Sequence, residues 1–284
     1  VKLTETYFSA LSALAEESRR TDAPLSDIVR DYIDYRAAGN VPVLLSVNAD
    51  AKTSKGIGAG YLTGILYMSP SDIAAERTGL RIPNLCPSAS AGCRAACLAE
   101  HSGRMVFDSS VRARVYRTLL WYLESALFRA SLIREVSALV RKAEREGLIP
   151  AVRLNGGTDI LWERWFPELF AEFPMVEFYD YTKVAPHKYR RNLPGNYHLT
   201  FSRSESNHPE CLRYLAEGGN VAIVFDAGDG SIPDSIEGFP AISGDEDDIR
   251  LPGRDGTGVW IVLKPKGGNA RRDTSGFVYR LPVA

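Results

Sequence analysis

The spacing of apolar and polar positions changes several times along this chain. Residues 4–20 place Leu11, Leu14 and Ala15 at helical spacing. Residues 25–37 do the same with Leu25, Ile28, Val29, Tyr32 and Ile33, with Pro24 at the start and Gly39-Asn40 as the stop. VPVLLSVN (41–48) and YLTGILYMS (61–69) are short apolar runs of the kind buried strands show, and the polar, glycine-rich 48–60 between them is predicted as a loop. The stretch 70–100 has little periodicity. Residues 109–146, rich in Arg, Leu and Ala, predict a long helix or helix pair stopped by Gly147 and Pro150. Beyond that point strands and helices alternate. Strands are predicted at 151–155, 176–182, 197–202, 220–225, 241–243 and 259–264, with helices at 161–172, 186–191 and 208–217.

Short apolar strands separated by helices predict an α/β chain with a parallel sheet and helical crossovers. The number of units favours a partial or complete (β/α) barrel over residues 41–284, with 1–40 as an N-terminal helical appendage and a cysteine loop at 84–100. The composition agrees with a folded domain, being 45% hydrophobic and 24% charged. With 34 Lys and Arg against 35 Asp and Glu, bulk positive charge is excluded as the basis of nucleic-acid binding, though a local basic groove is not. No apolar run approaches the ~20 residues of a membrane span, and the start lacks a signal-peptide core, so a cytoplasmic protein with no membrane partner is expected.

Three of the four cysteines fall together, in NLCPSASAGCRAACLAE, with the spacing C-x6-C-x3-C. A chain of this size folds without disulfide staples, so clustered thiols point to metal or redox chemistry. Cys86, Cys93 and Cys97 in one loop can meet a single inorganic centre. Zinc sites usually show two short hooks, and here there is only one, with His101 or Cys211 as the remaining zinc-ligand candidates. Three thiolates without an obvious fourth suit a 4Fe–4S cluster with one open iron. Buried thiols without metal are the third reading. Cys211, on the apolar face of PECLRYLAE, reads as a core residue.

The predicted strand ends are polar, and in a (β/α) barrel chemistry gathers at that end. One runs Arg153-Leu154-Asn155-Gly156-Gly157-Thr158-Asp159, another Tyr179-Asp180-Tyr181-Thr182-Lys183, a third Ser202-Arg203-Ser204-Glu205, and a fourth reaches Asp226. Catalytic candidates are Asp180, Lys183 and Asp226. Cofactor-binding candidates are Asn155, Gly156, Gly157, Asp159, Ser202, Arg203 and Glu205; Asp159 also suits a helix cap. Asn155, Asp159, Asp180, Lys183, Ser202, Arg203, Glu205 and Asp226 are expected on one side of the sheet, in one cavity. The stretch Lys52 to Gly58 has the composition of a phosphate-gripping loop without its residue order, and Lys264, Lys266, Arg271 and Arg272 form a basic patch.

Two resemblances follow from these motifs. NADAKTSKG, LCPSASAGCRAACL, AVRLNGGTDILWE, FYDYTK, YHLTFSRSE and NVAIVF resemble the gene-product-88 group of phage-encoded proteins over roughly 45–280, a family name that carries no activity. If phage-encoded, the protein is expected in the host cytoplasm. The architecture is also similar to radical S-adenosylmethionine enzymes. In those, a three-cysteine loop follows the first strand of a partial barrel, and a glycine-rich motif follows the second. The usual spacing there is C-x3-C-x2-C, from which this chain departs. That resemblance implies a 4Fe–4S cluster on Cys86, Cys93 and Cys97 with S-adenosylmethionine on the open iron. It also implies Gly156-Gly157 at the cofactor's amino group, and Ser202, Arg203 or Glu205 at its carboxylate or ribose.

Three functions compete. The first is a radical enzyme acting on a small molecule, nucleoside or nucleic-acid base. The second is a zinc- or cluster-stabilised nucleic-acid-binding protein with Lys52, Lys55, Lys264, Lys266, Tyr181 and Trp260 as its footprint. The third is a divalent-metal hydrolase or nuclease using Asp159, Asp180, Asp226 and Asp245.

Overall fold

A computed structural model describes residues 25–48, 51–101 and 103–280. The helix predicted at 4–20 lies outside the described residues. The first described helix, α1 (Asp27–Ala37), is followed by β1 (Leu45–Val47), α2 (Ala51–Gly58), β2 (Tyr61–Leu66) and α3 (Ile73–Thr78). The cysteine region contributes α4 (Ala91–Ala95) and α5 (Leu98–His101). The long helical stretch is a pair, α6 (Asp108–Leu123) and α7 (Ser125–Glu146). Alternation follows with β3 (Ile149–Arg153), α8 (Trp162–Trp165), α9 (Pro167–Glu172), β4 (Glu177–Thr182), α10 (Pro186–Tyr189), β5 (Tyr197–Ser202), α11 (His208–Ala216) and β6 (Val221–Val224). The chain ends through β7 (Ser235–Ile236), β8 (Phe239–Ser243), α12 (Pro252–Asp255), β9 (Trp260–Leu263) and α13 (Gly267–Arg271).

The strands form one nine-stranded sheet in the order β1-β2-β3-β4-β5-β6-β9-β8-β7. The run from β2 to β8 is parallel, and β1 and β7 are antiparallel edges. Among the described residues β1 and β7 do not pair, so the sheet is open and the complete barrel is not formed.

Alternation along each strand sends neighbouring side chains to opposite faces. Leu62, Leu66, Val152 and Phe178 join the main core beneath the helices, and Phe201, Val221, Ile223, Trp260 and Val262 join a second one with Cys211 and Leu215 of α11. The main core is completed by the α7 stripe Phe128, Leu132, Val136, Leu139 and Ala143, whose spacing keeps one face on the sheet. Gly147, at φ 65°, ends α7 in a left-handed cap. Residues 249–251 cross the opposite face, where Ile249 and Leu251 pack on Ala151 and Tyr179.

The helix pair breaks at Glu124, a buried carboxylate that accepts Tyr32 Oη at 2.8 Å and Arg36 Nε at 2.9 Å. Those bonds, with Tyr32 in the main core, seat α1 on the body of the fold. Two expectations are corrected. Residues 51–58 form a helix inside the predicted loop, and Pro167 divides the single helix predicted at 161–172 into α8 and α9. Among the described residues, no helix is long and apolar enough to cross a membrane.

Candidate functional site

Two contiguous cavities open at the carboxyl ends of the parallel strands. The first, about 370 Å3, is lined by Cys86, Cys93 and Cys97 together with Asn155, Gly156, Gly157, Thr158, Asp159, Lys183 and Ser202. The second, about 350 Å3, shares Cys93, Cys97, Arg153, Tyr181, Lys183 and Ser202 with it and extends to Lys55, Lys264, Lys266 and Phe277. Volumes of this size suit small-molecule ligands.

The cysteine loop is held by parts of the chain remote in sequence. Ser90 caps α4 by accepting Cys93 N at 3.2 Å. Glu205, just beyond β5, accepts Ser90 Oγ at 2.7 Å and Gly92 N at 2.8 Å. Burial raises the Glu205 pKa, but these donors outweigh it and hold the group below its ordinary value. Asn269 of α13 donates to Ala95 O at 3.0 Å. Phe277 lies so close that a Cβ on Gly92 would stand 2.5 Å from the Phe277 Cβ. Cys86 is fixed from the other side: its N–H donates to Asn84 Oδ1 at 2.7 Å, and its thiol contacts Gly157 O at 3.6 Å.

Burial pushes the Cys86 thiol up to about 12 and raises Cys97 as well. Three thiols around one cavity are a donor set suited to a thiophilic centre. Among the described residues, however, no group of three His, Cys, Asp or Glu side chains stands arranged to hold a metal ion. Cys211 is fully buried in the second core with its Sγ 3.5 Å from Asn207 Oδ1, apart from the triplet. His101 lines the thiol cavity.

The expected gathering of eight strand-end residues in one cavity holds for Asn155, Asp159, Lys183 and Ser202. It does not hold for the other four. Asp180 points to the helix face, where it accepts Asn155 N at 2.6 Å and Tyr197 Oη at 2.7 Å; burial pushes its pKa up to about 7 against those donors. Arg203 borders only the second cavity, and its donors go to His208 Nδ1, Gly276 O and Phe277 O. Glu205 is taken up by α4. Asp226, off both cavities, accepts Gly228 N at 3.0 Å and pairs with Arg280 at 3.2 Å. Strand alternation accounts for Asp180: its neighbour Tyr181 lines both cavities, so Asp180 faces the other side of the sheet.

Several cavity-side residues also have structural duties. Asn155 Oδ1 accepts Thr158 Oγ1, Ile160 N and Trp162 Nε1, which folds the turn after β3. Asp159 accepts Thr182 Oγ1 at 2.7 Å and Lys183 N at 2.8 Å, joining the ends of β3 and β4. Burial raises its pKa despite those bonds. Gly156 is required by close approach, since a Cβ there would meet Leu66 O and Ile65 Cγ2 at 2.7 Å. Of the nucleic-acid footprint, Trp260 is fully buried and donates to Ile236 O, while the Lys52 side chain is outside the described residues.

A family model described as gene product 88 matches residues 43–281. The chain belongs to the gene product 88 family. No curated protein and no solved structure matches it. The match spans every element that builds the two cavities, from α2 to the segment carrying Phe277, so the cysteine loop and its clamps lie within the family's matched region. Sequence reasoning on this gene product 88 protein missed the Phe277 strap and Asn269. The signal available was only a polar, glycine-bearing tail.

Proposed function

We propose that this protein is an iron–sulfur enzyme of radical S-adenosylmethionine type acting on a small molecule. The observation that carries the reading is the placement of Cys86, Cys93 and Cys97 around one cavity at the carboxyl ends of parallel strands. All three cysteines line that one cavity. Three thiolates with one coordination position left over suit a 4Fe–4S cluster with an open iron, whereas structural zinc takes four protein ligands. The sheet is read as a partial (β/α) barrel, supported by Lys55 of α2, near one end of the strand order, donating to Asp245 O just beyond β8 near the other.

When bound, the cluster and S-adenosylmethionine supply radical chemistry by reductive cleavage of the cofactor. The protein's own residues position and enclose. Glu205, Ser90 and Asn269 fix α4 and with it Cys93. Asn155 and Asp159 hold the β3 and β4 ends that form the cavity wall. Arg203 and Glu205 are occupied by the protein, so the cofactor's polar groups fall to the Gly157 backbone, Ser202 and Lys183. Anaerobically reconstituted protein given dithionite and S-adenosylmethionine should release 5′-deoxyadenosine. A fully cluster-loaded protein that neither binds S-adenosylmethionine in calorimetry nor forms that product removes the radical reading.

A further inference from the structure

The second cavity has a charge pattern of which the radical chemistry draws only on Lys183, a residue common to both cavities. Lys55 comes from α2, Lys183 from the turn after β4 and Lys264 from the end of β9, and all three line it. Among the described residues, no carboxylate forms a salt bridge with any of them. The carboxylates that share the cavity are already matched: Asp248 holds Arg153 at 2.8 Å, Asp247 holds Arg254 at 2.8 Å, and Asp245 holds Lys266 at 2.6 Å. The cavity therefore carries an excess of positive charge, supplied by three separate elements.

We propose that this lobe binds the phosphate of a phosphorylated small molecule. Ammonium groups act as compact point charges and serve phosphate well, and a phosphate monoester, carrying nearly two negative charges at neutral pH, gains more from three of them than a single carboxylate does. The guanidinium groups here are engaged by the protein: Arg153 by Asp248, Arg203 by Gly276 O and Phe277 O, and Arg250 by Asp255 and Tyr181 Oη. The lysines remain. Between them and the thiols the wall is apolar, with Ala222, Val224, Leu263 and Phe277, so the body of the ligand has a surface to lie on. Because Cys93 and Cys97 border both cavities, a molecule anchored by its phosphate at the lysines extends toward the thiols. The assignment of this molecule as the substrate rests on the function proposed above. The binding itself does not.

The test is calorimetry on the full chain, with no iron, S-adenosylmethionine or reductant, using uridine 5′-monophosphate, uridine, inorganic phosphate and succinate as probes at low ionic strength. The monophosphate should bind, uridine should not, and inorganic phosphate should compete. Lys55→Ala and Lys264→Ala should each weaken the monophosphate about tenfold, the size of one charge-assisted contact. Lys188→Ala, at a lysine paired with Glu210 outside the cavities, should leave binding unchanged. Matching thermal melts would confirm that the variants fold. Absence of monophosphate binding, equal binding by uridine, preference for succinate, or Lys55 and Lys264 variants that behave like Lys188→Ala would each overturn the proposal. Since no metal or cofactor is in the cell, such a failure leaves the radical reading standing, and failure of radical chemistry leaves the lobe standing.

Discussion

Cys86, Cys93 and Cys97 border one cavity, whereas Cys211 is enclosed by core side chains. Alanine at any of the three should abolish iron binding after reconstitution, and Cys211→Ala should retain it. The raised thiol at Cys86 gives uptake a direction with pH. The thiol is protonated at neutral pH, loading releases its proton, and metal affinity should rise with pH. Asp180 gives a separate pH signature. Its folded pKa, about 7, lies above the ordinary value of 3.8. The folded chain thus binds the proton more tightly than the unfolded one, so this group's contribution to stability falls as pH rises from about 4 through 7. Denaturant titrations at pH 5 and pH 8 should show that fall in the wild type, and Asp180→Asn should flatten it. At this scale the sequence revealed residue type but not direction. Asp180 and Lys183 belong to one polar strand end, yet only Lys183 reaches the cavity, because side-chain direction depends on a register that polarity does not reveal.

The element that matters most is α4, five residues that cannot persist as an isolated helix. Its stability comes from Glu205, Asn269 and the Phe277 strap. Glu205→Ala would leave Ser90 Oγ and Gly92 N without their acceptor, at about 1 kcal/mol, and should lower cluster occupancy more than global stability. Gly156→Ala is a different kind of change. Its Cβ would press on the backbone carbonyl of Leu66, and the protein should lose about 1–3 kcal/mol in a thermal or denaturant melt. The strongly periodic elements were legible in the sequence: α7, β4, β5 and α11 lie close to where their patterns put them. The short ones were not. Residues 51–58 look like a loop because Gly56 and Gly58 weaken any helical signal, yet Gly56 sits tightly against Thr63 of β2, where a side chain would collide. α13 gave too few apolar positions to read.

Over the whole molecule, the parallel order from β2 to β8 brings the segments that follow β2, β3, β4, β5, β8 and β9 to one rim, and the cysteine loop is folded back over it. The alternation of strand and helix made that parallel sheet legible. Its openness was not, because closure depends on the pairing of edge strands, and a two-residue β7 carries almost no pattern. The long return of the C-terminal strap to α4 was equally hidden, since it pairs residues more than a hundred and seventy positions apart, Asn269 with Ala95 among them. The iron and acid-labile sulfide content of anaerobically reconstituted protein, measured for the wild type and for Cys93→Ala, tests the account at its centre. It predicts four iron and four sulfide per wild-type chain, as a [4Fe–4S] centre requires, with both lost in the variant. One equivalent of zinc without iron or sulfide, or the same metal content in wild type and Cys93→Ala, would contradict it.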